Sequence, residues 1–86
     1  MKLSFFKQKI EDYKSSFSFS NPCFVVEAIG DVIAVFDVES SLELSLFSKH
    51  DFEFFSTFNL TYYVEVLNTS FGSRLCITFH KNFFND

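Results

Sequence analysis

The sequence DVIAVFDVESSLELSLF, residues 31–47, decides the fold because apolar residues stand at every second position of two runs, Val32, Ala34, Phe36 and Val38 in the first and Leu42, Leu44 and Leu46 in the second. A period of two places successive side chains on opposite faces of a β-strand, so that one face can be buried and the other exposed. The stretch predicts two strands, residues 32–38 and 42–47, separated by a polar break at residues 39–41.

The same period continues on both sides of this stretch. The breaks between the runs are too short for the crossover helices that parallel strands require, so neighbouring strands are predicted to be antiparallel. The boundary at Asn59 leaves an alternative, in which residues 52–67 form one long bent strand or a short helical turn followed by a strand. The further strands predicted are residues 23–29, 52–58, 60–67 and 74–79.

The N-terminal segment has a different period. Its apolar residues recur at spacings of three and four, which places them on one face of a helix. We therefore predict an amphipathic helix over about residues 2–16 and an α+β fold. In this fold a single domain, residues 1–86, packs the N-terminal helix on a meandering antiparallel sheet of about five strands. The apolar residues of the helix are Leu3, Phe6, Ile10, Tyr13 and Phe17.

Large apolar residues are more abundant than a small core can easily enclose. Fifteen of the 86 residues are Phe, and 48% of the chain is hydrophobic. A domain of this size buries only about 60–65% of the surface that its unfolded chain exposes. Two explanations remain open: the surplus aromatic residues form an interface, or Phe merely replaces Leu in the composition and single exposed apolar residues need no partner.

The negative charge is concentrated in the predicted sheet. Residues 15–73 contain eight carboxylates and one lysine, and the whole chain has a formal net charge of −4. One face of the predicted sheet combines carboxylates with apolar and aromatic residues, and we take it as a candidate partner-binding surface. Alternatively, the carboxylates serve solubility and prevent aggregation between sheet edges. The candidate residues are Asp31, Asp37, Glu39, Glu43, Phe47, Tyr63 and Glu65.

The sequence contains no motif that supports catalysis, a cofactor or a metal. Ser48, His50 and Asp51 have the residue types of a nucleophilic triad, but neighbours in sequence rarely face one another, so a turn is the better interpretation. Cys76 and His80 can share a strand face, yet two ligands are too few for a closed zinc site. The two glycines belong to no phosphate loop, and the seven Lys and Arg residues are scattered. We therefore predict no enzyme activity, no cofactor and no direct binding of nucleic acid.

No apolar run approaches the roughly 20 residues that a membrane span needs. Charged residues also interrupt the place where the apolar core of a signal peptide would lie. We expect a cytoplasmic protein that does not bind membranes, and we expect Cys23 and Cys76 to be reduced core residues.

These properties favour a stoichiometric binding protein. A surface of one sign attracts the opposite sign, so the expected partner is a larger protein with a basic surface, such as a nuclease or a nucleic-acid-binding complex. Phage anti-defence inhibitors of the anti-CRISPR kind and toxin-immunity proteins share the small size, the acidity and the lack of a catalytic motif. The comparison rests on these properties and not on sequence. The alternatives are a self-associating structural or accessory subunit, such as a homodimer, and a small hydrolase that uses His50 or His80.

Overall fold

The computed structural model describes residues 1–18, 23–38, 47–70 and 72–85. Within these ranges two helices pack on a four-stranded antiparallel sheet, which confirms the α+β class and the N-terminal helix. The elements are α1 (Leu3–Tyr13) with a 3₁₀ turn (Lys14–Ser16), β1 (Cys23–Ala28), β2 (Asp31–Val38), α2 (Lys49–Ser56), β3 (Tyr62–Thr69), β4 (Gly72–His80) and a final 3₁₀ turn (Lys81–Phe83).

The sheet has the strand order β1-β2-β4-β3. The prediction of about five meandering strands is therefore wrong for the described residues, because there are four and β2 lies beside β4. All neighbours are antiparallel, as predicted. A two-residue turn, Ile29-Gly30, joins β1 to β2, and Gly30 adopts the positive φ of 81° that glycine permits without strain.

The segment predicted as a strand at residues 52–58 is instead helical, and the correct alternative was a helical turn followed by a strand. Ser48 caps α2, and its backbone N–H donates to the Asp51 carboxylate over 2.9 Å, which forms half of a capping box. The buried residues Asp51, Phe55 and Phe58 recur at spacings of four and three. Asn59 follows with a φ of 56°, a left-handed conformation that ends the helical segment.

The other predicted strand of this region, residues 42–47, falls mostly on residues 42–46, which lie outside the described residues. Phe47 is described and is not part of a strand. It directly precedes the cap residue of α2, so it belongs to the start of a helix and not to the end of a strand.

Both described helices pack on one face of the sheet, which we call the inner face. On this face the side chains of Val32, Ala34, Phe36 and Val38 from β2 are buried, as their phase predicted. The Phe6 ring of α1 lies with its centroid 4.9 Å from that of Phe58 and 5.2 Å from that of Phe79. The core is therefore an aromatic cluster between the helices and the inner face. It also contains Leu3, Ile10, Phe17, Phe55, Leu75 and Ile77.

The two ends of the described chain meet beside this cluster. The Met1 ammonium donates a hydrogen bond to the Phe83 carbonyl over 3.0 Å, and the Asn85 N–H donates to the Met1 carbonyl over 3.0 Å. Phe84 packs against Phe6 with a centroid distance of 5.1 Å. The segment after β4 thus supports the start of α1.

Candidate partner-binding face

The opposite side of the sheet, which we call the outer face, is covered by neither of the two described helices. The strand registers place apolar side chains next to each other across this face. Phe24 lies opposite Val35, and Val26 lies opposite Ile33. Tyr63 lies at the other edge, opposite Thr78. Val35, Cys76 and Thr78 of the central strands are buried, whereas Phe24, Val26, Tyr63 and Leu67 are exposed.

Carboxylates lie around this apolar surface. Asp31 stands at one end of β2 opposite His80, and Asp37 stands at the other end. Glu65 lies on the edge strand β3. Arg74 donates to Asp37 through its Nε over 3.0 Å, and both side chains are about half exposed, so this ion pair contributes little stability. The outer face thus combines exposed apolar side chains on its two edge strands with carboxylates at the ends of β2 and on β3.

The structure places four of the predicted binding residues on the outer face: Asp31, Asp37, Tyr63 and Glu65. Glu39 and Glu43 lie outside the described residues. The alternation predicted the right phase for β2 and β3 because both strands pair with β4 residue by residue, without a bulge.

Phe47 is not on the outer face, contrary to the prediction. Its ring lies 5.6 Å from Phe36, an inner-face residue, and 4.5 Å from Phe52 of α2. Phe47 precedes the cap Ser48, and Phe52 is the fourth residue of the helix, so the pair forms a hydrophobic staple. The pattern F-S-x-x-D-F was the signal for this helix start.

Phe24 and Val26 are outer-face residues that the sequence prediction did not select. Their position follows from the two-residue turn at Ile29-Gly30, which sets β1 in register with β2. A hairpin register predicted from this turn could have identified them, because a two-residue loop fixes which side chains face each other.

Ser48, His50 and Asp51, which have the residue types of a nucleophilic triad, take part in a cluster of hydrogen bonds that joins α1 and the segment after it to α2. Asp51 is fully buried and accepts hydrogen bonds from the Ser48 and Ser18 backbone N–H groups, at 2.9 and 3.1 Å, and from the Ser48 hydroxyl. The His50 ring instead bonds to the Tyr13 hydroxyl, at the C-terminal end of α1. His50 and Asp51 therefore have separate partners, and both lie in the first turn of α2 and not in the turn predicted between strands.

The pKa of Asp51 results from two opposing effects. Burial raises the pKa of this carboxyl, but the hydrogen bonds from Ser18 and Ser48 outweigh burial and lower the pKa below its ordinary value. Burial, with the nearby Asp51 and Glu53 carboxylates, raises the pKa of Tyr13, so its phenol stays neutral and able to donate. The Asp51 carboxyl thus stays ionised and accepts hydrogen bonds from Ser18 and Ser48, and the Tyr13 phenol stays neutral and bonds to His50.

The two cysteines lie on different faces of the sheet. Cys23 belongs to the inner face, opposite Phe36, and Cys76 to the outer face, opposite Val35. Both are buried free thiols. Burial raises the pKa of Cys23 to about 12, and burial together with Glu65 raises the pKa of Cys76. Neither thiol is an activated nucleophile.

We expect both thiols to be inert in the folded protein. A disulfide reagent such as dithiobis-nitrobenzoate, added at about pH 8, should modify neither Cys23 nor Cys76 until urea unfolds the chain. The Val26→Cys variant, with a thiol at an exposed outer-face position, is the control and should react at once. A native thiol that reacts as fast as this control would contradict the assignment.

Two other kinds of site find little support. The described residues hold no group of three or more His, Cys, Asp or Glu side chains placed for a metal. A groove of about 510 Å³ lies between α1 and α2, lined by Phe5, Lys9, Asp12 and other residues. Its charged groups already have partners within the chain, because Lys9 lies over the Phe5 ring and Asp12 accepts from Gln8.

None of the helices in the described ranges is long and apolar enough to cross a membrane.

In comparisons with known proteins, the chain matches no protein-family model, no curated protein and no solved structure.

Proposed function

We propose that this protein is a non-catalytic binding protein whose outer face covers a basic surface on a larger protein that acts on nucleic acid. The observation that carries the proposal is the outer face itself, where exposed apolar side chains on the two edge strands, Phe24 and Tyr63, accompany the carboxylates Asp31 and Glu65. Exposed apolar and aromatic surface combined with polar residues is typical of protein interfaces.

The charges and the rings have different roles in this proposal. Asp31 and Glu65 attract the Lys and Arg side chains with which the partner otherwise holds phosphates, and such rim charges mainly raise the association rate. Phe24 and Tyr63 become buried between the two proteins and exclude water, which mainly slows dissociation. The bound protein then blocks access of nucleic acid, so that inhibition is stoichiometric.

In this proposal the protein belongs to the functional class of small acidic inhibitors, such as anti-CRISPR and toxin-immunity proteins. The cluster at Ser48, His50 and Asp51 supports a non-catalytic role, because each of these side chains has a partner in the structural connection between α1 and α2. Catalysis by a triad would instead require the histidine to bridge the acid and the nucleophile.

We expect the outer face to be required for capture of the partner. The tagged protein is incubated with a lysate of the cell that carries it, and bound proteins are identified by mass spectrometry at low and high salt. Phe24→Ser should reduce recovery at least about 30-fold, as expected for an interface hot spot. Asp31→Lys should reduce recovery mainly at low salt, where charge attraction is strongest.

Matched controls lie on the helix side of the protein. Phe5→Ser replaces an exposed Phe of α1, and Glu53→Lys reverses an exposed carboxylate of α2. Both should recover the partner as well as the unchanged protein does. The recovered protein should be basic, and its action on nucleic acid should stop at one equivalent of inhibitor. Equal recovery with all four variants, or recovery of no basic nucleic-acid-acting protein, would overturn the proposal.

A further inference from the structure

We propose that the free edge of β3 pairs antiparallel with β3 of a second copy, which joins two four-stranded sheets into one sheet of eight strands. β3 pairs with β4 on one side along its whole length, from Tyr62↔Phe79 to Thr69↔Gly72. On its other side β3 meets no strand of the described chain. Among the described residues, the backbone N–H and C=O groups on that side have no strand partner and can pair with another strand.

Glu65 is the one charged residue of β3, which otherwise lacks the features that protect edge strands from pairing. Soluble proteins keep such strands short, or place lysine, proline, a bulge or a covering element on them. β3 has eight residues, YYVEVLNT, with neither Lys nor Pro, and its register with β4 advances without a bulge. β1, the other edge, has six residues and lies beside α1, where Lys7 pairs with Glu27 at 3.2 Å. In the part of the chain that the structure describes, β3 is thus the more open of the two edges.

The exposure of β3 on both faces favours an added strand over a partner on one face. Val64 and Val66 point toward the inner face but are 40% and 45% exposed, and on the outer face Tyr63 and Leu67 are 53% and 50% exposed. A partner docked on one face would cover only two of these four side chains. A strand paired with the edge would flank all four at once.

The pattern of side chains fits a second copy of this chain. A two-fold axis at Val64 would place Val64 opposite its own copy, Val66 opposite Tyr62 of the second copy and Glu65 opposite Tyr63 of the second copy. Aromatic and β-branched pairs of this kind stabilise antiparallel strands, and a carboxylate beside a phenol places an acceptor next to a donor. An axis at Glu65 would oppose two carboxylates, which is unfavourable. Of these two registers, the sequence favours the one centred on Val64.

This inference does not rest on the proposed function. A two-fold axis perpendicular to the sheet keeps the two outer faces on the same side, so the dimer leaves both of them open. The residues that test the two proposals also differ: Phe24 and Asp31 for the binding partner, and Val64 for the dimer.

The mass of the full chain in solution tests the dimer. Light scattering and sedimentation from low to high micromolar concentration should show a species of twice the 10.0 kDa chain. Val64→Lys places two like charges at the axis and should weaken the dimer at least about 100-fold. Val26→Lys, at a similarly exposed valine of the opposite edge strand, should leave it intact. A monomer at every concentration, or a dimer that Val64→Lys does not weaken, would overturn the inference.

Cross-linking tests the register. Directly opposed residues of antiparallel strands have Cα atoms about 4.5–5.5 Å apart, which suits a disulfide. With diamide as the oxidant, Val64→Cys should form a cross-linked dimer and Val66→Cys should not, while Cys23 and Cys76 stay buried and free. Cross-linking of Val66→Cys in place of Val64→Cys would overturn the register.

Discussion

The Phe6→Ala variant is expected to lose about 3–5 kcal/mol of its free energy of unfolding, the usual range for a large buried aromatic residue. Phe6 has no exposed surface and contacts Phe58, Phe79 and Phe84, so its ring links α1 to the residues after α2, to β4 and to the segment after β4. Native domains have only about 5–15 kcal/mol of net stability. Urea unfolding followed by circular dichroism should show a much lower midpoint with an unchanged slope.

Phe5→Ala is the matched control for this prediction. Phe5 is the preceding residue of the same helix, but its ring is 51% exposed and its polar neighbour is the Lys9 ammonium, 5.3 Å from the ring centroid. Removal of this ring should cost less than about 1 kcal/mol. Equal losses for Phe5→Ala and Phe6→Ala would mean that α1 does not bury the face that carries Leu3, Phe6 and Ile10.

The Asp51→Asn variant is expected to lose about 2–4 kcal/mol. The buried carboxylate accepts from the N–H groups of Ser18 and Ser48 and from the Ser48 hydroxyl. An amide has one acceptor oxygen, and its NH₂ group would face donors, so at least one buried N–H would lose its partner. Urea unfolding near neutral pH measures the loss. Glu53→Gln, at an exposed carboxylate of the same helix, should change the stability by less than about 0.5 kcal/mol.

The pH dependence gives this prediction a second readout. The pKa of Asp51 is lowered in the folded state, so the folded chain holds this carboxylate ionised at pH values where the unfolded chain takes up a proton. Its contribution to stability is present above the ordinary pKa of about 3.9 and is lost as the pH falls through the lower folded value. The unchanged protein should therefore lose stability on acidification more steeply than Asp51→Asn. Parallel curves for the two proteins would contradict the role of this carboxylate.

The parts of the fold that the sequence predicted well are those with one period and no competing pattern. The buried residues of α1 recur at spacings of three and four, and every second residue of β2 from Val32 to Val38 is apolar, so the buried faces of both elements were predicted correctly. Residues 52–58 contain four Phe residues, whose spacings fit a strand as well as a helix. The helix is favoured over the strand by the cap at Ser48 and Asp51, which is a local effect, and by burial of Phe55, which is a tertiary effect. Periodicity reports neither of them.

The difference between regular strands and other segments also explains which candidate site residues were placed correctly. Asp31, Asp37, Tyr63 and Glu65 were placed on the outer face because phase carries along regular strands. Phe47 was placed on the wrong face because it directly precedes the cap of α2 and is not in a strand, so a period of two does not determine where its side chain points. The strand order β1-β2-β4-β3 could not be predicted from alternation, since the pattern of one strand does not say which other strand lies beside it. The open edge of β3 therefore became visible only with the structure.

The hydrogen bonds between Met1 and residues 83–85 couple the stability of regions far apart in sequence. They tie the residue before α1 to the turn after β4, beside the contact between Phe6 and Phe84. Fraying of either segment removes support from the other, so both open together as one cooperative unit. Non-covalent bonds thus close the described chain between Met1 and Asn85, so its two terminal segments are expected to unfold together and not independently.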